Sequence, residues 1–316
     1  MYLYSIKKML PKLSLVTGVS QGIGNHLLRQ LLQSPNYLVI GTVRNSQSIK
    51  QTLDLLHSEC PDLKKNINDR LRLVSVDFFK QLNSEEETRQ WLQEVTSDSI
   101  KHFGTNHQHA DLLINNAGVM QKVTNFGNAN TIQGVKETLK VNFMAPLFLS
   151  ESLIKSITTS KPLIVNLGAR VCTLSANPYL TSISEVNDTL RKVFESKQDL
   201  TVEQLYQLLM EGVMRKPEYL SPEQLSKIPQ SLPDAPYLVS KVFLHALTKI
   251  EASSSKDRYK VVAVDPGWVK TRLGGSKAPL SPEKSAQNIF KLVERQDTLE
   301  NGLLYSSADG KVLSYV

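Results

Sequence analysis

Tyr237 and Lys241, in the second half of the chain, are spaced so that they could move a proton together. They are four residues apart at the start of a predicted helix that ends near Ser254, and residues at this spacing share one helix face. A nearby ammonium favours the tyrosinate form and lowers the pKa of a tyrosine from about 10. Tyr237 is therefore a candidate general acid for a carbonyl oxygen. The spacing is common by chance, so it needs support from elsewhere in the chain.

A glycine-rich stretch near the start of the chain could bind a phosphate group. Gly18, Gly22 and Gly24 have the spacing G-x-x-x-G-x-G, between an apolar run at 13–16 and a run of helical periodicity at 23–32. Glycine permits tight or left-handed turns and leaves no Cβ between backbone and phosphate. The following helix offers unpaired N–H groups and a positive dipole end. The stretch predicts a dinucleotide-binding loop, with an ordinary turn as the alternative.

Arg44 and Asp77 each follow a predicted strand, at 37–43 and 71–76. Arg44 stands 20 positions beyond Gly24, and residues 37–46 contain no Asp or Glu. An acidic residue at this distance binds the ribose 2′-OH of NAD, whereas an arginine accommodates the 2′-phosphate of NADP. The sequence therefore favours NADP, with a solvated surface arginine as the alternative. Asp77 is expected at the ligand edge of the sheet.

Two further polar positions are expected near this edge. Asn115–Gly118 form a small polar turn after a predicted strand at 111–114, which could touch a ligand or be an ordinary turn. Pro146 lies inside a predicted helix over 132–157, and because proline has no N–H, the carbonyl of Asn142 loses its helical donor. That carbonyl is then free to bind water, unless the proline makes only a packing kink.

The elements that must position these residues alternate between strand and helix. Further strands are predicted at 162–168, 261–264 and 302–305, and helices at 46–58, after Ser84 and after Ser281. Such alternation predicts a parallel sheet covered on both faces. Residues 1–11 are interpreted as an extension and 12–316 as one domain. An insertion at about 172–236, with helix starts at 201–204 and 221–224, is expected to fold as helices over the catalytic edge.

Composition excludes several other classes of protein. The 316 residues are 41% hydrophobic and 21% charged, and the sequence has no apolar run near the roughly 18 residues that cross a bilayer. The net charge is +7 without a dense basic run, which argues against nucleic-acid binding. Two cysteines suggest reduced thiols in the cytoplasm. His102, His107 and His109 lack the companions of a metal site, so we expect no metal.

Seven motifs occur in an order that resembles the short-chain dehydrogenase/reductase family. They are Thr17–Gly24, Arg44, Asp77, Asn115–Gly118, Asn142, Tyr237–Lys241 and Pro266–Thr271. The resemblance covers about residues 12–305, and the long insertion together with Pro-Gly-Trp-Val-Lys-Thr is similar to the carbonyl reductase branch. It implies an α/β fold with a Rossmann-type doubly wound parallel sheet of about seven strands, and NADP(H) as the cofactor.

The resemblance also implies a role for each site residue. Tyr237 would protonate the carbonyl oxygen, Lys241 would bind the nicotinamide ribose, and Asn142 would hold a water connecting Lys241 to solvent. Trp268 would line the substrate pocket. Members of this branch with the insertion are monomers. The other implied positions contact the cofactor: Gly18, Ser20, Gln21, Gly22, Ile23, Gly24, Arg44, Asp77, Asn116, Ala117, Gly118, Pro266, Gly267, Val269 and Thr271.

The chain departs from the family pattern after the fifth predicted strand. Ala169 stands where the family has a serine that hydrogen-bonds the substrate carbonyl, and losing such a donor typically costs about 10²–10³ in rate. Arg170, Thr173 or Ser175 could substitute, although none is at the equivalent position. The first hypothesis is an NADPH-dependent reductase of aldehydes, ketones or quinones. The second is an NADP-binding sensor or partner-binding protein that has lost most of its catalysis.

Overall fold

Eight strands form one sheet in the computed structural model, which describes residues 10–65, 67–121, 129–158, 161–175, 180, 184–214 and 235–316. The strand order is β3-β2-β1-β4-β5-β6-β7-β8, and all neighbours are parallel except β7 and β8. The strands are β1 (Lys12–Val16), β2 (Tyr37–Val43), β3 (Leu71–Ser75), β4 (Leu112–Asn115), β5 (Leu163–Leu167), β6 (Lys260–Asp265), β7 (Leu304–Ser306) and β8 (Val312–Leu313). The predicted parallel sheet is confirmed, and β8 is an antiparallel addition at its edge.

Helices cover both faces of the sheet because the side chains of each strand point alternately to the two sides. Val16 of β1 packs with α1 and α10, whereas Leu13 and Leu15 pack with α4 and α6 on the opposite face. The helices of the described residues are α1 (Gly22–Gln33), α2 (Ser46–Glu59), α3 (Ile67–Arg70), α4 (Glu85–Phe103), α5 (Ala129–Leu139), α6 (Ala145–Ser156), α7 (Ser184–Phe194), α8 (Val202–Gln207), α9 (Ala235–Ser254) and α10 (Pro282–Glu294). A 3₁₀ turn at Pro61–Lys65 follows α2, and another at Gln296–Thr298 follows α10.

The predicted helix over 132–157 consists of α5 and α6, which are joined by a π turn beside Pro146. A π turn at Lys140–Met144 separates α5 from α6, and the N–H of Ala145 bonds to the carbonyl of Lys140, five residues earlier. Pro146 supplies the physical reason, because it has no N–H to bond to the carbonyl of Asn142. The backbone therefore changes its bonding pattern at the position where the sequence predicted a kink.

The described part of the insertion packs beside α9. Its elements are α7, α8 and a π turn at Leu208–Met214, and Thr201 and Gln204 form the predicted capping box at the start of α8. Leu190 and Leu205 are buried in one cluster with Val242 of α9. The insertion helices α7 and α8 thus pack on the same side of the sheet as α9 and extend its hydrophobic cluster. Residues 215–234, which include the predicted helix start at 221–224, lie outside the described residues, as do residues 1–9 of the predicted extension.

None of the described helices is both long enough and apolar enough to span a membrane.

Candidate active site

The predicted glycine loop forms a tight turn between β1 and α1. Gly18 and Gly22 have positive φ angles of 72° and 59°, a conformation that other residues rarely adopt. A Cβ on Gly24 would lie 2.2 Å from the carbonyl oxygen of Gly18, and a Cβ on Gly18 would lie 2.9 Å from the Cα of Ala117. Larger residues are therefore excluded at Gly24 by the turn's own backbone and at Gly18 by the turn after β4.

The start of α1 is suited to an anion. Gln21 is the N-cap residue, its side chain makes no capping hydrogen bond, and the first turn contains no acidic residue. The N–H groups at the start of this helix point out of the turn, and a helix N-terminus of this kind favours a phosphate. Ser20 is half-buried and Gln21 is exposed, whereas Ile23 also packs against the core beneath the helix.

The turn after β4 is bonded directly to the glycine turn. The side-chain amide of Asn116 donates to the carbonyls of Thr17 (2.7 Å) and Gly18 (3.0 Å). In return, the hydroxyl of Thr17 accepts from the N–H groups of Asn116 (3.0 Å) and Ala117 (2.9 Å). Gly118 is exposed beside them. The structure thus brings two predicted segments, about 100 residues apart in sequence, to one place.

Arg44 lies between two carboxylates. Its Nε is 3.4 Å from Oδ2 of Asp77, and its Nη2 is 2.9 Å from Oε1 of Glu137. The other oxygen of Glu137 accepts from the side-chain amide of Gln121 at 2.8 Å, which fixes the carboxylate. The Arg44 side chain is 56% exposed, against 17% for Asp77 and 14% for Glu137. Arg44 and Asp77 were predicted to lie at one edge, whereas Glu137 was missed, because a lone glutamate in a helix carries no sequence signal.

Asn142 is fully buried in the π turn, and its side chain holds the segment after β4. Its amide oxygen accepts from the N–H of Val119 at 2.8 Å, and its amide nitrogen donates to the carbonyl of Val119 at 2.8 Å. The amide nitrogen also lies 3.0 Å from the hydroxyl of Ser240, which is on α9. Asn142 therefore connects the predicted nucleotide edge to the helix that holds Tyr237 and Lys241.

Lys241 is buried at the carboxyl end of β5. Its Nζ donates to the carbonyl of Leu167 at 2.5 Å and lies 5.8 Å from the centre of the Tyr237 ring. Burial lowers the pKa of Lys241 to about 8, so it is still an ammonium at neutral pH. An ammonium at this position favours ionisation of the neighbouring phenol. Burial likewise raises the pKa of Cys172 to about 12, which leaves that thiol protonated.

Ala169, where the resemblance implies a serine, is bonded through its backbone to a buried histidine. Its N–H donates to Nε2 of His245 at 3.3 Å, and His245 is fully buried one helical turn beyond Lys241. Three residues were considered as substitutes for the serine: Arg170, Thr173 and Ser175. The side chain of Arg170 is 65% exposed beside Asp265, and the hydroxyl of Thr173 lies 3.4 Å from that of Ser175.

The loop after β6 closes the remaining side of the site. Val269 is buried and pairs with Leu280, and the methyl group of Thr271 lies against the glycine turn, 3.2 Å from where a Cβ of Gly22 would be. The hydroxyl of Ser285 donates to the carbonyl of Pro266, and Gly267 has a φ of 82°. Trp268 is 58% exposed, although its indole N–H donates to the carbonyl of Gly274.

The predicted site residues therefore collect at the carboxyl ends of adjacent strands. The glycine turn follows β1, Arg44 follows β2, Asn116 follows β4, and Lys241 reaches the end of β5. This is the edge where open α/β sheets bind their ligands. His245 was missed, although its position four residues after Lys241 repeats the Tyr237–Lys241 spacing and could have placed it on the same helix face.

The sequence of this chain is similar to one known family and to relatives within it. The model of the short chain dehydrogenase family matches residues 12–182. Carbonyl reductase [NADPH] 1 of Bos taurus is 26% identical over 309 residues, covering 94% of this chain and 92% of the relative.

Two solved structures share the fold. Salutaridine reductase from Papaver somniferum has a TM-score of 0.71 at 20% identity and covers 93% of this chain and 99% of its own. An NADPH-bound carbonyl reductase from chicken fatty liver has a TM-score of 0.60 at 21% identity, with 97% and 100% covered.

Proposed function

Because this chain belongs to the short-chain dehydrogenase family, we propose that it reduces the carbonyl group of a small molecule with NADPH. The observation that carries the proposal is the buried ammonium of Lys241, 5.8 Å from the centre of the Tyr237 ring and at the same sheet edge as the glycine turn. The proposed proton donor, Tyr237, and the proposed cofactor-binding turn then lie at the same edge of the sheet. Relatives named as NADPH-dependent carbonyl reductases support this class of reaction.

The residues present fit a dinucleotide phosphate cofactor. The close backbone approach at Gly18 and Gly24 and the uncapped start of α1 suit a pyrophosphate. Arg44 would hold a 2′-phosphate, while Asp77 would face the adenine. Asn116, Ala117 and Gly118 would line the ribose side. Lys241 would bind the nicotinamide ribose, and Val269 and Thr271 would contact the carboxamide.

The protein's own residues would supply and replace one proton. NADPH, when bound, supplies the hydride that reaches the carbonyl carbon. Tyr237 donates its phenolic proton to the carbonyl oxygen, so the product is an alcohol and the tyrosine is left as tyrosinate. The ammonium of Lys241 stabilises that anion. A water at the carbonyl of Asn142, which cannot accept a hydrogen bond from Pro146, would return a proton from solvent through Lys241.

The surroundings of the site suit an apolar substrate. Trp268 and Val171 follow two adjacent strands, β6 and β5, and are exposed by 58% and 67%. Large exposed apolar side chains beside polar groups are typical of a binding surface. The proposed substrates are accordingly aldehydes, ketones or quinones with an apolar body.

Ala169 favours a second candidate, an NADP-binding protein with little catalysis. It has no hydroxyl to polarise a carbonyl, and removing such a donor typically costs about 10²–10³ in rate. A protein of this kind would bind NADPH and act as a sensor or partner-binding module.

One experiment separates the two candidates. NADPH oxidation is measured for the wild type, Tyr237→Phe and Ala169→Ser over a panel of quinones, aldehydes and ketones, together with NADPH binding. The reductase proposal expects turnover by the wild type and its loss in Tyr237→Phe. A wild type that binds NADPH without turnover, and gains it in Ala169→Ser, supports the second candidate. Equal activity of Tyr237→Phe and the wild type would contradict the assigned proton donor.

We also propose that the protein is a monomer. The described helices of the insertion, α7 and α8, are packed in one cluster with α6 and α9, so those faces are not free to associate with a second copy. Light scattering after size exclusion tests this, and a dimer across α9 would contradict it.

A further inference from the structure

His245 lies directly behind the backbone where the family serine would be. It is fully buried on α9, and its Nε2 accepts a hydrogen bond from the N–H of Ala169. A Cβ on Gly168 would lie only 2.3 Å from the same Nε2. The ring therefore fills the space that any larger residue at 168 would need, and it touches two consecutive residues of the segment after β5.

Two contacts from α9 thus hold the end of β5. Nζ of Lys241 donates to the carbonyl of Leu167, and Nε2 of His245, one helical turn further on, accepts from Ala169. The two bonds attach the residues on either side of Gly168 to the helix that presents Tyr237. The same segment is also bonded to β6, because the N–H of Gly168 donates to the carbonyl of Val264 and the N–H of Arg170 donates to Asp265. The contacts from α9 are the ones that connect this segment to the helix of Tyr237.

The ring of His245 is held in one orientation and one charge state. Burial, with the nearby charge of Lys241 as a smaller cause, lowers the pKa of His245 to about 3, so the ring is neutral. Since Nε2 accepts, the proton is on Nδ1, which has no hydrogen-bond partner among the described residues. The ring packs against Tyr315, with centroids 5.4 Å apart, and Tyr315 stacks on Phe194 of α7. Packing from the far side therefore keeps Nε2 directed at Ala169.

We propose that His245 is a positioning residue for the reduction, which holds the segment 168–170 in register with Tyr237 through the N–H of Ala169. The inference rests on the proposed function. Without a serine hydroxyl, the orientation of the substrate carbonyl depends on Tyr237 and on the backbone that faces it. A displacement of about 1 Å at such a position can cost about 10² in rate.

The test compares two substitutions at His245. His245→Leu keeps the bulk and removes the acceptor, whereas His245→Gln places a side-chain oxygen near the position of Nε2. The single-turnover rate of NADPH oxidation is measured per NADPH-binding site, together with the isotope effect of deuterated NADPH. His109→Leu is the matched control, because His109 is also buried and lies before β4, at the opposite edge of the sheet.

His245→Leu is expected to lower the rate per site by about 10–100-fold and to increase the isotope effect, and His245→Gln to recover most of the rate. NADPH affinity should stay within about twofold, since the phosphate contacts are elsewhere. A residue needed only for folding would reduce the number of binding sites and leave the rate per site and the isotope effect unchanged. That result, or equal losses in the Leu and Gln variants, would overturn the inference.

Gly168→Ala tests the same contact from the other side and applies if His245→Leu does not fold. The added Cβ would displace the ring from Ala169, so the rate per site should fall while His245 is intact. A wild-type rate in Gly168→Ala would overturn the inference and leave the proposed function standing. A wild type with no turnover on any carbonyl would overturn both.

Discussion

The two ends of the proposed cofactor site differ in how their cations are held. At the phosphate end, the Arg44 side chain is 56% exposed and paired with two carboxylates. At the end where the reaction is proposed to occur, Lys241 is 5% exposed and bonded to a backbone carbonyl. Exposed pairs are weak, screened by salt and easily exchanged, whereas a buried charge in a fixed environment is not screened and keeps its orientation.

This difference assigns different tasks to the two ends. A phosphate at Arg44 would compete with Asp77 and Glu137 for the guanidinium, so the balance at this end would set how tightly the proposed cofactor binds. Lys241 needs no exchange of partners, because its ammonium is already beside Tyr237. Substitutions at the first end should therefore change binding alone, and those at the second end should change the rate as well, because Lys241 would also bind the nicotinamide ribose.

The largest effect is expected from Lys241→Met. Removing the ammonium leaves the tyrosinate of Tyr237 without its counter-charge, and the loss of such acid–base assistance lowers kcat by about 10²–10⁴-fold. Steady-state NADPH oxidation measures it. Lys260→Met is the control, because Lys260 donates to the carbonyl of Gln296 at the opposite edge. A Lys241→Met variant that loses NADPH affinity while keeping kcat would contradict the proposed role of Lys241 in the reaction.

Lys241 should also make stability depend on pH in the cofactor-free protein. Its folded pKa is about 8 against 10.5 unfolded, so between these values the unfolded chain binds more protons and stability rises with pH. The shift corresponds to at most about 3 kcal/mol. Urea unfolding from pH 7 to 10.5 should show a steeper rise for the wild type than for Lys241→Met. In Arg44→Met the rise should match the wild type, and a rise shared by all three proteins would contradict the assignment.

Arg44→Asp should change cofactor choice without changing the chemistry. A charge-assisted hydrogen bond is worth about 1.5–3 kcal/mol, so NADPH affinity should fall by about 10–100-fold, while NADH affinity stays equal or improves. Fluorescence titration with both cofactors measures this, with Arg72→Asp as the control because Arg72 pairs with Asp98 on α4. If NADH binds the wild type as tightly as NADPH does, the argument from Arg44 fails.

The smallest expected effect is that of Glu137→Gln. Removing one carboxylate partner of the exposed Arg44 side chain removes a competing ion pair worth about 0.2–1 kcal/mol, so NADPH should bind about 1.5–5-fold more tightly. The gain should shrink in high salt. Glu86→Gln, which removes the partner of Arg89 on α4, is the matched control. Weaker NADPH binding by Glu137→Gln would mean that the carboxylate itself contacts the cofactor.

Local features of the chain could be predicted from its sequence, and contacts between distant segments could not. The seven parallel strands and the break before Pro146 follow from periodicity and from proline's missing N–H. Glu137 and His245 were missed because their importance depends on partners 93 and 76 residues away. The two-residue strand β8 is too short for any alternation to appear.

The place of β1 in the sheet has a consequence for biosynthesis. One neighbour, β2, follows β1 closely in the chain. The other edge of β1 pairs with β4, and the N–H of Leu13 donates to the carboxylate of Asp111, 98 residues further on. An unpaired strand edge recruits other chains, and contacts of such sequence separation form slowly. During synthesis, one edge of β1 therefore stays unpaired until β4 is made, and only then can the glycine turn close against Asn116.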